Sequence, residues 1–166
     1  AMRVARAHPD GILLGGYGCA GCAALIKALR AHLPRSRLIA PEGFLPLELL
    51  VRGAGSSVEG MYVIESGLPP TAFGTLGQTL QRKFGNPAAT LGGATTAGQA
   101  AEVLLNAIAR SDGTRSSVTA HALGDPVRGN ILGHFSFDPN GDMIPSAITI
   151  YRVRLGHQVV DRVVRR

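Results

Sequence analysis

The chain of 166 residues has no tryptophan, only two cysteines and few aromatic residues. Two cysteines are too few for the disulfide framework of a small secreted domain. No apolar run approaches the roughly 20 residues that a membrane-spanning helix needs. Hydrophobic residues make up 45% of the chain and charged residues 17%, a composition that excludes intrinsic disorder. We therefore expect the chain to fold as one domain or as one large lobe.

Acidic residues are scarce as well, because 11 Asp and Glu stand against 17 Lys and Arg, giving a net charge of +6. The arginines are spread along the chain and are densest between Arg152 and Arg166, where Tyr151 is the one nearby aromatic residue. A nucleic-acid interface would show basic residues interleaved with several aromatic ones. We therefore expect no nucleic-acid partner. The N-terminal residues also lack the apolar core of a signal peptide.

Strand and helix patterns alternate over the first half of the chain, which predicts an α/β fold with a parallel sheet. The predicted strands are 11–15, 37–40 and 60–64, and the predicted helices are 19–33, 45–52 and 71–84. In the helix at 19–33 the apolar residues recur at helical spacing, at Ala24, Leu25, Ala28, Leu29 and Leu33. Ligands of such sheets bind at the carboxyl ends of the strands. The polar loops Gly16-Tyr17-Gly18 and Pro41-Glu42-Gly43 are therefore the candidate ligand-binding loops.

The second half of the chain has a different pattern. An Ala-rich helix is predicted over 96–110 with Leu104 on its buried face, and Ser116 is expected to cap a helix that ends near Leu123. Alternating apolar residues at 134–137 and 147–153 flank an Asn-Gly turn, which predicts a late β-hairpin. A final short strand is predicted over 158–163.

The glycines at Gly16, Gly18 and Gly21 fit the spacing of a dinucleotide-binding fingerprint, because they follow a predicted strand and open a predicted helix. Glu42 falls near the end of the next strand, where an acid would bind the ribose. An NAD(P)-binding Rossmann domain is therefore the alternative interpretation.

The other motifs indicate no catalytic or metal centre. Cys19 and Cys22 have the spacing of a redox motif at a helix start, but two small residues on a helix explain them equally well. The segment 138–142 resembles a calcium loop and lacks the glycine and glutamate that such a loop requires. The five histidines form no i, i+4 pair. We expect no enzyme activity, no metal and no cofactor.

Tyr17 and Glu42 each follow a predicted strand in consecutive strand–helix units. A carboxylate and a phenol at one sheet edge suit the ammonium group and the flank of a small amphoteric ligand. Glu42 has a simpler explanation as an acidic residue beside the start of the following helix, where the helix dipole favours a negative charge.

Six segments, in order, resemble the leucine/isoleucine/valine-binding family of type I periplasmic binding proteins, the substrate-binding components of ABC transporters. These segments are 9–17, 40–44, 57–63, 100–108, 133–142 and 151–153. The resemblance implies the Rossmann-like parallel sheets of that fold, in an incomplete form with a late β-hairpin. It also implies a protein that binds amino acids or small amides between two lobes and delivers them to an ABC permease. The resemblance further implies a periplasmic or extracellular location, which includes that of a lipoprotein at the cell surface.

In the leucine-type members a tyrosine and a glutamate of the second lobe contact the ligand, and the resemblance carries these roles to Tyr17 and Glu42. Gly16 and Gly18, which flank Tyr17, complete the predicted ligand-binding set. The family's long helix begins with a Tyr-Asp pair, whereas this chain has Gly98-Gln99 there. That difference leaves the identity of the solute open.

The family is about twice as long as this chain, which resembles its C-terminal half. The resemblance predicts a second-lobe segment at 1–90, a first-lobe segment at 91–147 and a returning segment at 148–166. An incomplete lobe would expose apolar surface. We therefore expect either a homodimer or a complementing N-terminal half as a protein partner.

Overall fold

The computed structural model describes residues 1–17, 21–45, 47–84, 93–129 and 131–165. Contacts between residues divide the chain into two units. Unit 1 consists of Ala1–Ser66 and Ile148–Val164, and unit 2 is built on Gly67–Ala147. The first division between the units therefore falls at Ser66, and residues 67–84 group with unit 2. The lobe to which each unit corresponds stays a prediction.

Unit 1 is a mixed five-stranded sheet with helices. Its elements are α1 (Met2–Ala5), β1 (Gly11–Leu13), α2 (Cys22–His32), β2 (Arg37–Pro41), α3 (Leu47–Ala54), β3 (Tyr62–Ser66), β7 (Ala147–Arg154) and β8 (His157–Arg165). The strand order is β1-β2-β3-β7-β8. The first three strands pair in parallel, as the sequence predicted, and β7 runs antiparallel to β3.

One face of this sheet carries the core of unit 1. Side chains alternate between the two faces of a strand, so every second residue of β2, β3 and β7 points to this side. The core side chains come from those strands and from α2, α3 and the turn that follows α3: Ile26, Leu29, Leu38, Ala40, Leu47, Leu50, Val58, Met61, Val63 and Val153. Both helices therefore cover the same face of the sheet.

Unit 2 combines three helices with a small antiparallel sheet. Its elements are α4 (Thr75–Phe84), α5 (Gly93–Arg110), α6 (Arg115–Gly124), β4 (Val127–Arg128), β5 (His134–Phe137) and β6 (Met143–Ile144). The strand order is β4-β5-β6. None of the described helices in either unit has the length and apolar character that a bilayer span requires.

The predicted late hairpin has a different second strand from the one expected. The turn at 138–142 does connect two antiparallel strands, but the partner of β5 is β6, with Phe137 opposite Met143. The predicted partner, 147–153, lies in β7 and pairs with β3 of unit 1. Pro145 separates β6 from β7, and a proline has no N–H to continue a strand ladder.

Two details of the helices also differ from the prediction. The side chain of Thr114, and not that of Ser116, caps α6 by accepting a hydrogen bond from the Ser117 N–H at 3.2 Å. Leu104, predicted to be buried, is exposed, and so is Leu25 of the apolar stripe in α2, whereas Leu29 of that stripe is buried. In α2 the core contains Ile26 instead, one position further along the helix. The spacing of apolar residues alone did not show which of two adjacent faces of each helix is buried.

The buried face of α5 contains Thr95, Gln99 and Ala107. Both ends of the Gln99 amide are hydrogen-bonded, because its Oε1 accepts from the Leu132 N–H at 3.1 Å and its Nε2 donates to Glu102 at 2.9 Å. A buried polar side chain is tolerated when its hydrogen bonds are satisfied. The predicted buried face included Ala107, which is buried, but not Thr95 and Gln99, because apolar periodicity does not report polar positions.

Arg30 of α2 holds the loops behind the core of unit 1 together. Its guanidinium donates to four backbone carbonyls, those of Pro34, Ser36, Ser57 and Glu59, at 2.9 to 3.4 Å. Desolvation lowers the pKa of Arg30 from its ordinary value, but an arginine remains charged at neutral pH. The side chain therefore links the end of α2 to the segment before β3.

We expect Arg30→Met to lower the free energy of unfolding by about 1–3 kcal/mol, because carbonyls that accept from a charged donor lose their partner. Urea denaturation followed by far-UV circular dichroism measures this. Arg35→Met is the matched control, because Arg35 is exposed and should change stability by less than about 0.5 kcal/mol. Equal losses in the two variants would contradict the role of Arg30.

Candidate functional site

The candidate site lies at the edge of the sheet where β1, β2 and β3 end. Because these strands are parallel, the segments that follow them emerge at the same edge. Tyr17 follows β1, and Glu42 follows β2 as the first residue of a 3₁₀ turn over Glu42–Phe44. The structure therefore places Tyr17 and Glu42 in adjacent loops of unit 1, whereas Gly18 lies outside the described residues.

The Tyr17 ring contacts the backbone of the neighbouring loop. A Cβ atom added to Gly43 would lie 2.6 Å from Tyr17 Cδ1 and 2.9 Å from the carbonyl oxygen of Gly16. Gly16 has a φ of +109°, a conformation that favours glycine. The phenol is nevertheless 82% exposed. The two glycines thus let the loops approach closely and leave most of the ring at the surface.

Glu42 is held by the end of the third parallel strand. Its Oε2 accepts a hydrogen bond from the Ser66 N–H at 3.2 Å, and Ser66 is the last residue of β3. Within the described part of the chain, Oε1 of Glu42 has no hydrogen-bond partner. One carboxylate oxygen therefore orients the side chain, and the other is available to a cation such as an ammonium group.

A second carboxylate lies near the end of β3. Glu65 is adjacent in sequence to Ser66, and its carboxylate faces the hydroxyl of the buried Tyr151 on β7. Burial, followed by the charge of Glu65, raises the pKa of Tyr151 above its ordinary value. The Tyr151 hydroxyl therefore stays protonated at neutral pH and donates to Glu65.

Sequence analysis placed Gly43 in the candidate loop with Glu42, but it did not identify Ser66, Glu65 and Tyr151 as neighbours of that loop. The positions of Ser66 and Tyr151 depend on the pairing of β3 with β2 and β7, which joins residues far apart in the chain.

The remaining motifs have structural explanations where they are described. Cys22 is buried and disulfide-bonded, whereas Cys19 lies outside the described residues. Asp138 Oδ1 accepts from the backbone N–H groups of Asn140 and Asp142 at 2.8 and 2.9 Å, so this side chain closes a turn. The described residues contain no cluster of His, Cys, Asp or Glu that could hold a metal ion.

Unit 2 contains a separate cleft of about 530 Å³ between α5, α6 and β4. Asp125 lies in its wall and accepts from His121 Nδ1 at 2.9 Å and from Arg110 at 3.3 Å. Glu102 and Arg128 also line the cleft. Because both signs of charge are present, the lining does not select one class of ligand.

The alternation of strands and helices in unit 1, with its parallel strands and a returning antiparallel strand, is the architecture of a type I periplasmic binding protein. Solved structures of ABC-transporter substrate-binding proteins match the chain throughout. A leucine-binding protein from Thermotoga maritima matches with 24% identity and a TM-score of 0.74, over 98% of this chain and 47% of its own length.

Two further structures extend the comparison. A branched-chain amino acid ABC transporter protein from Thermus thermophilus, with bound valine, matches with 16% identity and a TM-score of 0.68, over 97% of this chain and 47% of its own. A solute-binding protein from R. palustris, in complex with benzoate, matches with 16% identity and a TM-score of 0.66, over 98% and 45%. A scan against protein-family models and a search of curated proteins find no match.

These likenesses confirm the fold predicted from the sequence, including its incompleteness, because the chain spans about half the length of the structures it matches. The dinucleotide alternative is not favoured, since the matched structures are substrate-binding proteins.

We expect Gly43→Ala to displace the Tyr17 ring, because the new methyl group would overlap both Tyr17 Cδ1 and the Gly16 carbonyl. NMR of ring-labelled tyrosine measures this, with the Tyr17 resonance assigned among the three tyrosines by Tyr17→Phe. Gly21→Ala is the matched control, because nothing lies within 4 Å of a Cβ added there. An unshifted Tyr17 resonance in Gly43→Ala would contradict the contact.

Proposed function

We propose that this chain is part of the solute-binding component of an ABC transporter and that it binds a small amino acid or amide. The observation that carries the proposal is the carboxylate of Glu42, oriented by the Ser66 N–H through one oxygen and available through the other. The exposed ring of Tyr17 in the adjacent loop supplies an apolar surface beside it. The ligands bound in matched structures, which include leucine, valine and isoleucine, support this class of solute.

In the proposed mode of binding, Glu42 pairs with the ammonium group of the ligand, and Tyr17 packs against the ligand's side chain. A charge-assisted hydrogen bond to a carboxylate contributes about twice as much as a neutral one. Gly16, with its φ of +109°, allows the loop to approach the ligand, and Gly18 completes the proposed ligand-binding set. Benzoate, bound by one matched structure, has no ammonium group and would not use Glu42 in this way.

The proposal includes the wider setting of such a protein. Its partners are a small-molecule ligand, an ABC permease and a polypeptide that supplies the other half of the fold, with a homodimer as the alternative to that half. Its location is the periplasm or the outer surface of the cell, and it has no enzymatic role. The matched structures support this setting because they are transport proteins about twice as long as this chain.

We expect Glu42→Gln to weaken leucine binding about tenfold or more, because the ammonium group loses its charged partner while the amide oxygen can still accept from the Ser66 N–H. Benzoate binding should change little. Titrations followed by NMR chemical shifts detect weak binding by an incomplete site, and native mass spectrometry reports the bound mass.

Glu48→Gln is the matched control, because Glu48 is an exposed carboxylate on α3. An equal loss of leucine binding in the control would remove the role of Glu42. An absence of leucine binding in the wild-type chain, both alone and with a complementing half, would refute the solute class. Binding of NAD in place of leucine would revive the dinucleotide alternative.

A further inference from the structure

The turn between β7 and β8 places a leucine where the fold gains nothing from it. Leu155 and Gly156 have φ values of +52° and +75°, and they are the two central residues of this hairpin turn. Asparagine followed by glycine favours that conformation, whereas a leucine there is strained. The Leu155 side chain is also 90% exposed. Both the backbone and the side chain of Leu155 are therefore unfavourable for folding.

The turn is nevertheless held firmly by its neighbours. The carboxylate of Glu59 accepts from the Leu155 N–H at 3.1 Å and from the Gly156 N–H at 3.3 Å. A Cβ atom added to Gly156 would lie 3.6 Å from Val51 Cγ1, so the turn packs beside α3. The exposed leucine therefore extends from a turn whose backbone position is fixed by the fold.

Unpaired arginines lie at the same edge of the sheet. Because β7 runs antiparallel to β3, it ends at the edge where β1, β2 and β3 begin. We call this edge the basic edge. It consists of the turn leucine and of four exposed arginines, which precede β2, begin β2, lie in the last turn of α3 and end β7: Leu155, Arg35, Arg37, Arg52 and Arg154.

The positive charge of the basic edge is not neutralised within the chain. Among the described residues, none of its four guanidinium groups has a hydrogen bond or an ion pair. The carboxylates nearby are Asp10, which precedes β1, and Glu59, which the turn already engages. The basic edge therefore attracts an anionic partner.

The apolar residues at this edge favour a lipid surface over other anionic partners. Leu49 is 65% exposed and lies three residues before Arg52, on the same side of α3. Basic residues beside exposed apolar ones bind the headgroups and the acyl boundary of an anionic bilayer. A single-stranded nucleic acid would need aromatic side chains for stacking, and the basic edge contains none. A second copy of the chain would set arginines against arginines.

We propose that the basic edge binds an anionic phospholipid surface, with its four arginines at the headgroups and Leu155 inserted at the acyl boundary. This contact is independent of the proposed solute binding, because Tyr17 and Glu42 follow β1 and β2 at the opposite edge of the sheet. A chain bound in this way keeps Tyr17 and Glu42 away from the lipid.

Co-sedimentation of the full chain with vesicles tests the proposal. The chain should bind phosphatidylcholine vesicles that contain phosphatidylglycerol, should not bind phosphatidylcholine alone, and should bind less tightly as the salt concentration rises. Leu155→Asn should weaken binding about tenfold, because an inserted apolar side chain is lost. The fold should be retained in this variant, because asparagine adopts a positive φ more readily than leucine does.

A double variant tests the charges separately. Arg52→Gln combined with Arg154→Gln should weaken vesicle binding about 25-fold, because each arginine at an anionic surface strengthens binding about fivefold. Arg115→Gln combined with Arg128→Gln is the matched control, because it removes two exposed arginines from unit 2 and changes the net charge equally. The control should change binding by less than about twofold.

The depth of Leu155 can be measured directly, because the chain has no tryptophan. The fluorescence of Leu155→Trp should shift to the blue on the mixed vesicles and should be quenched by brominated lipid. Tyr17→Trp, at the opposite edge, should show neither change. Circular dichroism of every variant verifies folding.

Three results would overturn the proposal: no binding to the mixed vesicles, equal losses in the two double variants, or wild-type affinity in Leu155→Asn. Salt-sensitive binding of a single-stranded RNA without any binding to vesicles would overturn it as well, because the anionic partner would then be a nucleic acid.

Discussion

The parallel pairing of β1, β2 and β3 is the constraint on which the candidate site depends. Each of these strands contributes to one continuous core, and each ends at the same edge of the sheet. The pairing of β2 with β3 brings Ser66 beside Glu42, so that one backbone N–H orients one carboxylate oxygen. A shift of one residue in this register would turn the core side chains to the opposite face and would remove Ser66 from Glu42.

The same sheet explains how unit 1 positions the two candidate loops. The helices α2 and α3 cover one face, and this single core suffices to position the loops at the sheet edge. The other face exposes the apolar side chains of Leu13, Ile64 and Ile148, and Arg152 Nε is buried there with no hydrogen-bond partner among the described residues. Unit 2 has a comparable feature by itself, since Leu104, Leu105 and Ile108 of α5 are exposed. Both observations agree with a chain that spans about half the length of the structures it matches.

The candidate ligand set is consistent with a site that selects solutes by charge and shape. Glu42 offers one oxygen to a cation, and Tyr17 offers a ring whose position depends on the absence of a side chain at Gly43. In unit 2, Gln99 occupies a position at which the resemblance predicts an aspartate, and its amide is engaged by Leu132 and Glu102. Gln99 therefore has a structural role in this chain.

The sequence by itself determined the α/β class, the three parallel strands and the placement of Tyr17 and Glu42 in consecutive loops. Strand and helix periodicities are local, and the ends of parallel strands meet by geometry. Only the tertiary structure decided that β7 pairs with β3 instead of β5, that Ser66 orients Glu42, and that Arg152 lies on an uncovered face. These features join residues that are far apart in the chain, and no local pattern encodes which distant strand a segment will meet. The tertiary structure also decided that Gln99 lies on the buried face of α5. A polar residue whose hydrogen bonds are satisfied adds nothing to the apolar pattern of the sequence.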